Sequence, residues 1–191
     1  MKKLLVTGGI GSGKSFVISL LNAMGIPSYD SDTRVKELYD EDRELLKKIE
    51  DIVGKDVEKD GKLDRKALAA FIFSDAVKRE EVENAVYPVL KSDFDKWCSE
   101  QVTDVVIFES AIALEKPFFN NCFDKVAVVT APVEVRIARA AKRDNTTRDD
   151  ILSRMSSQWN DAHRLEFADF VIDNDNVAPL LPQIEQILKT L

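Results

Sequence analysis

An α/β fold built on a parallel sheet of about five strands is predicted for this chain of 191 residues on three observations. Short Val- and Ile-rich runs alternate with longer stretches of helical period, as in folds that wrap helices around parallel strands. The run KKLLVT leads straight into four glycines within six positions, GGIGSG, and then into an amphipathic segment. DVVIFES and KVAVVTA are nearly continuously apolar rather than alternating, which marks strands covered on both faces.

Taken in order, KKLLVT reads as the first strand and SFVISLLNAMG as the first helix, with Gly25 as its C-terminal stop. IPSYD reads as a short second strand. DTRVKELYDEDRELLKKIEDIVG then reads as one charged amphipathic helix, with Val35, Leu38, Leu45, Leu46, Ile49 and Ile52 on its apolar face. No strand-like run appears from about 55 to 101. This stretch opens with the turn KDGKLD, continues through helical RKALAAFIFS, and ends in a long helical pattern that Pro88 is expected to interrupt. A wholly helical insert, about 55–101, is therefore expected within a single domain spanning 1–191. The two apolar strands follow, then a charged helical region broken at DNTT, forming a lid over about 136–158. DFVID gives the last strand and VAPLLPQIEQILKTL the closing helix.

Bulk composition narrows the function. With 45% hydrophobic residues, a chain of this size can bury one substantial core. Lys+Arg 27 against Asp+Glu 34 gives a formal net charge of -7, which disfavours broad nucleic-acid and membrane-surface binding while allowing a locally basic pocket. The start, MKKLLVTGGIG, is too short an apolar run for a signal peptide or a membrane span. Cys98 and Cys122 stand apart with no C-x-x-C pair, so free thiols and a cytoplasmic setting are expected. The single histidine, His163, reads as a surface residue in a polar helical stretch.

The glycine run carries the chemistry. Gly8, Gly13, Lys14 and Ser15 fit G-x-x-x-x-G-K-[ST], with a strand before and a helix after. Backbone N–H groups in such a loop at a helix N-terminus make a concave donor site for phosphate oxygens. Gly9, Ile10, Gly11, Ser12, Gly13, Lys14, Ser15 and Phe16 are therefore the expected nucleotide-binding residues. Lys14 reaches the β- and γ-phosphates, and the Ser15 hydroxyl is the expected Mg²⁺ ligand. The fold class sharpens accordingly to a P-loop NTPase-type three-layer fold.

Three uses of such a loop stay open on the residues alone: a small-molecule kinase, a regulatory GTPase, and an ATPase that drives motion. A guanine-reading N-K-x-D segment is absent, and the D-x-x-G match at 51–54 falls inside a helical pattern. A kinase needs a carboxylate at the acceptor hydroxyl and cations for the transferring phosphoryl group. Asp30 and Asp32, two apart at the end of the second strand, are expected to face one cleft if extended. Arg136, Arg139, Lys142, Arg143 and Arg148 form a local basic reversal suited to a flap, with Arg139 and Arg143 on one helix side. Glu109, ending the strand DVVIFES, is a further carboxylate for Mg²⁺-bound water or acceptor.

These residues together resemble the dephospho-coenzyme A kinases over nearly the whole chain. TGGIGSGKS matches that family's opening loop, with Phe16 where Thr is usual. YDSD is similar to its D-x-D, which implies Asp32 as catalytic base and Asp30 in support. GKLDRKALAAFIFSD resembles the acceptor-domain segment, which implies substrate-binding roles for Asp64 and Arg65. VVTAPVEVRIARAAKRDNTTRDDILSRMSSQ resembles its flap, with Arg139, Arg143, Arg154 and Gln158 in matching places. ADFVIDND matches the ending that sets Asn174 near the nucleotide. The chain departs from the pattern at Tyr87-Pro88, where His-Pro is usual and a tyrosine supplies no imidazolium. It departs again at ESAIALE, where Glu109 stands for Asp, Ala111 for Pro, and Glu115 is retained.

The resemblance implies transfer of the ATP γ-phosphoryl group to the ribose 3′-hydroxyl of dephospho-coenzyme A, the last step of coenzyme A biosynthesis. Lys14, Asp32 and Arg139 would be catalytic, Arg143 and Asn174 would contact nucleotide, and Asp30, Asp64, Arg65, Tyr87 and Glu109 would meet the acceptor. Another P-loop small-molecule or nucleoside monophosphate kinase, or a regulatory nucleotide-binding protein, is the alternative.

Overall fold

The computed structural model describes residues 1–54, 57–59 and 62–191. By contact density the chain forms two compact units, Met1–Asp30 with Gln101–Leu191, and Ser31–Glu100.

The first unit holds the expected parallel sheet. Strands β1 (Lys2–Thr7), β2 (Ser28–Asp30), β5 (Val105–Glu109), β6 (Lys125–Thr130) and β7 (Phe170–Asp173) pair in the order β2-β5-β1-β6-β7, every pair parallel. The register sets Val6 beside Glu109 and Ala127, and Asp30 beside Glu109. Alternation along the strands sends Leu4, Val6, Val105, Ile107, Ala127, Val129 and Ile172 to one face. There they pack with Val17, Ile18 and Leu21 of α1 (Lys14–Ala23) and Ile184 and Ile187 of α9 (Leu180–Thr190). Phe108 points to the opposite face, stacked on Tyr29 at 5.6 Å and tilted against Phe123 at 5.1 Å.

Helix α6 (Val133–Asp144) ends at Asn145, whose φ of 49° is left-handed, and α7 (Arg148–Ser156) starts from a capping box between Thr147 and Asp150. The expected break at DNTT is therefore real. Ile137, Ala140 and Ile151 bury against one another with Ile10 of the glycine loop. The short α8 (Asp161–Leu165) follows, and His163 on it is half-buried, paired with Glu166 at 3.0 Å.

The second unit departs from the expected pattern in three places. The predicted single helix after β2 is two, α2 (Ser31–Glu41) and α3 (Arg43–Val53), because Asp42 is extended and its carboxylate caps Glu44 N–H and Leu45 N–H at 3.0 Å. Of the expected turn KDGKLD, Asp60 and Gly61 lie outside the described residues, and on either side of them β3 (Glu58–Lys59) and β4 (Lys62–Leu63) pair as a small antiparallel ribbon where no strand is expected. Pro88 does not interrupt its helix: α5 runs unbroken from Ala76–Ser99, after α4 (Arg65–Ser74). Pro88 and Asn84, whose carbonyl loses its N–H partner, are both exposed, so water can take the missing bond. The buried stripe Val82, Val86, Leu90, Phe94 and Cys98 holds the helix through the site of the proline.

Cys98 is buried and Cys122 half-buried, and neither forms a disulfide among the described residues. Among the described residues, no helix is long and apolar enough to cross a membrane.

Candidate active site

The glycine loop joins β1 to α1 at the C-terminal edge of the sheet, where open parallel sheets bind ligands. Gly13 sits at φ 90° as the N-cap of α1, and no side chain caps that helix end. Among the described residues, the N–H groups of Gly11, Gly13, Lys14 and Ser15 meet no protein acceptor, while those of Ser12 and Phe16 turn inward to Gly9 O and Gly13 O at 3.1 and 3.0 Å. The contact expected from the Phe16 N–H is thus spent within the loop in this structure, and the Phe16 ring is exposed. What remains is a ring of donors at the positive end of a helix, suited to phosphate oxygens.

At Gly11 and Gly13 a left-handed φ and steric overlap together exclude a side chain. A Cβ at Gly13 would overlap the Asn174 carboxamide, and one at Gly11, φ 77°, would overlap the backbone of Arg136. Gly13→Ala is therefore expected to weaken nucleotide binding by at least about tenfold and lower stability by about 1–3 kcal/mol, since both strain and overlap act. Calorimetric titration with ATP beside a melting curve checks it; unchanged binding would contradict the tight loop.

Lys14 and Ser15 converge on Glu109. The Lys14 ammonium donates to Glu109 Oε1 at 2.5 Å, and the Ser15 hydroxyl to the same oxygen at 3.3 Å. Glu109 is 7% exposed, and its strand is buried throughout. The longer glutamate therefore reaches the loop from the neighbouring strand. Asp30 ends β2 opposite Glu109, but Asp32 does not share its strand face. The helix begins at Ser31, so the expected i, i+2 alternation stops there and Asp32 lies exposed in the first turn of α2.

The basic cluster serves several ends, and its partners tell the residues apart. Arg136, 4% exposed, donates to Ile10 O at 2.9 Å and to Asp161 at 2.5 Å; it holds the loop from behind rather than closing over it. Arg143 pairs with Asp144 through two bonds, at 2.6 and 3.0 Å, so the structure does not bring it to the loop as expected. Arg154 donates to the same carboxylate at 2.6 Å, and the two guanidiniums hold Asp144 far below the usual carboxylate range. Arg148 faces Glu134 at 2.6 and 2.7 Å, on the surface. Arg139 alone of these has only neutral acceptors: Ser12 O at 3.4 Å, Asn174 O at 2.9 Å, and the side-chain oxygens of Asn174 and Asn176. Among the described residues no carboxylate meets its charge beside the loop. Asn174 is buried, and its amide donates to Ser12 O at 2.8 Å.

The family resemblance marks Glu115 and Gln158, but nothing in the sequence marks Arg164 or the network these residues form beneath the loop. Arg164, 1% exposed, donates to Glu115 at 2.9 Å and Asp161 at 3.4 Å, and Glu115 also accepts the Trp159 N–H at 3.1 Å. Gln158 accepts the Ile10 N–H at 3.1 Å, so both polar groups of the Ile10 peptide are held by side chains from the α6–α8 region.

In the second unit, Asp64 caps α4 through the N–H groups of Lys66 and Ala67, and Arg65 ties α4 to α2 through Lys36 O and Asp40. Both have a structural use there. Tyr87 lies near enough to Glu83, Tyr39 and Asp32 to feel their charge, and burial together with Glu83 pushes its phenol far up. Burial pushes Tyr39 up to about 12.

The family model for dephospho-CoA kinase matches residues 4–179. The chain belongs to the dephospho-CoA kinase family. A dephospho-CoA kinase of Bacteroides fragilis is 39% identical over 190 residues, 99% of this chain and 92% of the relative. A crystal structure from Thermus thermophilus superposes with TM-score 0.83 at 28% identity, covering 99% of this chain and 95% of that one. The dephospho-CoA kinase from Campylobacter jejuni gives 0.69 at 25% identity, covering 98% and 95%. Membership in the dephospho-CoA kinase family makes the chain an ATP-dependent phosphotransferase, and the P-loop kinase fold expected from its sequence is the fold observed.

Proposed function

We propose that this chain transfers the γ-phosphoryl group of ATP to the 3′-hydroxyl of dephospho-coenzyme A, releasing coenzyme A and ADP. The observation that carries this reading is the convergence of Lys14, Ser15 and Glu109 at the mouth of a donor-lined loop, with Arg139 beside it. Loop N–H groups and Lys14 bind the β- and γ-phosphates, and Arg139 spreads over the charge that develops on the transferring group. Asn174 keeps the loop in register through Ser12. Asp32 accepts or orients the proton of the acceptor hydroxyl, with Asp30 in support. Asp64, Arg65 and Tyr87 sit in the helical region assigned to the acceptor, about 55–101. The segment 136–158, with Arg143 and Arg154, acts as the lid that excludes water.

The Ser15 hydroxyl and the Glu109 carboxylate, 3.3 Å apart, are hard oxygen donors that fit Mg²⁺. Ser15 would hold the ion directly and Glu109 through its water, and the ion would neutralise phosphate charge. A chain using cytoplasmic ATP and a soluble nucleotide acceptor belongs in the cytoplasm, with neither nucleic acid nor membrane as partner.

ADP release from ATP and Mg²⁺ is expected with dephospho-coenzyme A and not with a panel of nucleoside monophosphates or without acceptor. Turnover on a panel member instead would retain the kinase and sink the acceptor assignment.

A further inference from the structure

We infer that Asn176 is a positioning residue for Arg139, and that its being an uncharged amide rather than a carboxylate keeps Arg139 available to phosphate. The inference rests on Arg139 as the arginine that faces the transferring group. Asn176 lies three residues past the last strand, exposed, with φ 74°. That left-handed conformation is one that asparagine and aspartate both tolerate among non-glycine residues. It is held by Asp175, whose carboxylate accepts the N–H groups of Val177 and Ala178 at 2.7 and 2.8 Å. The turn presents the Asn176 side-chain oxygen to the Arg139 guanidinium.

In this segment, DND followed by Asn176, acids and amides alternate, and the structure sorts them. The Asp175 carboxylate is taken up by its own turn, while Arg139 meets Asn174 mainly through its backbone oxygen at 2.9 Å, with the amide oxygen at 3.5 Å, and meets the amide oxygen of Asn176. Among the described residues, every acceptor on that guanidinium is therefore neutral. Neutral acceptors fix an arginine's direction at little electrostatic cost to its next partner. A carboxylate in the same place would make a stronger, charge-assisted bond, and would both compete with and repel an incoming polyphosphate. A purely structural turn predicts the opposite preference, because aspartate tolerates this φ and bonds the guanidinium more tightly.

Comparing Asn176→Ala, Asn176→Gly and Asn176→Asp, with Arg139→Ala as reference, tests this. The readouts are kcat and KM for ATP, ATP affinity by calorimetry, and melting temperature. The alanine and glycine variants are expected to lose about three- to tenfold in kcat, as a directed group loses its guide. Asn176→Asp is expected to fall about tenfold further in kcat/KM for ATP while melting as high as the parent. Aspartate equal to or better than alanine, with Arg139→Ala impaired, would overturn the Asn176 inference alone. An unimpaired Arg139→Ala would overturn the reading of Arg139, and this inference with it.

Discussion

Replacing Lys14 by alanine is expected to lower turnover by at least about a hundred- to a thousandfold, the scale of removing one preorganised charge from a transferring group. The loop supplies dipoles, but Lys14 supplies a full charge that follows the phosphoryl group. The same change strips Glu109 of its cation. Taking its cation from a carboxylate only 7% exposed costs about 3 kcal/mol, so lost activity could be mistaken for lost folding. The double variant Lys14→Ala, Glu109→Gln separates them. With no charge left stranded, it is expected to melt close to the parent while remaining inactive. A double variant that regained turnover would show that Lys14 acts only by neutralising Glu109, and the phosphate role would be lost.

The parts of this molecule that could be read from sequence are those whose cause is local. The loop is legible because the left-handed backbone at Gly11 and Gly13 and the close neighbours Arg136 and Asn174 exclude any side chain there. The parallel strands are legible because burial on both faces leaves continuous apolar runs, as in Val105–Glu109. The sequence misleads where a residue's local tendency is overruled by its packing. Pro88 reads as a helix breaker, yet the stripe from Val82 to Cys98 carries the helix across it. Asp32 reads as the strand-mate of Asp30, yet the helix starts between them. The arginines between 136 and 154 look alike in sequence, and only partners brought in by the fold separate them. Asp161 makes Arg136 a buried strut, Asp144 occupies Arg143 and Arg154, and among the described residues Arg139 meets no carboxylate. The Arg164–Glu115 contact spans 49 residues, which no periodicity can announce.

Asp32→Asn is expected to cut kcat by about a hundred- to ten-thousandfold, the range general-base removal commands, with ATP affinity unchanged. The substitution is isosteric, and asparagine suits a helix start, while the lost charge at the N-terminus of α2 costs about 0.3–1 kcal/mol. That figure is far too small to account for such a fall in rate. An exposed carboxylate beside Tyr87 can meet an acceptor hydroxyl without first being desolvated by its own protein. Asp30→Asn is the control: it removes a charge of the same sign two residues away, at the strand end opposite Glu109, and should cost far less in kcat. Equal losses in the two variants would mean that net negative charge, rather than a base at Asp32, is what the site requires. Near-normal turnover in Asp32→Asn would reduce Asp32 to a residue that only favours its helix end.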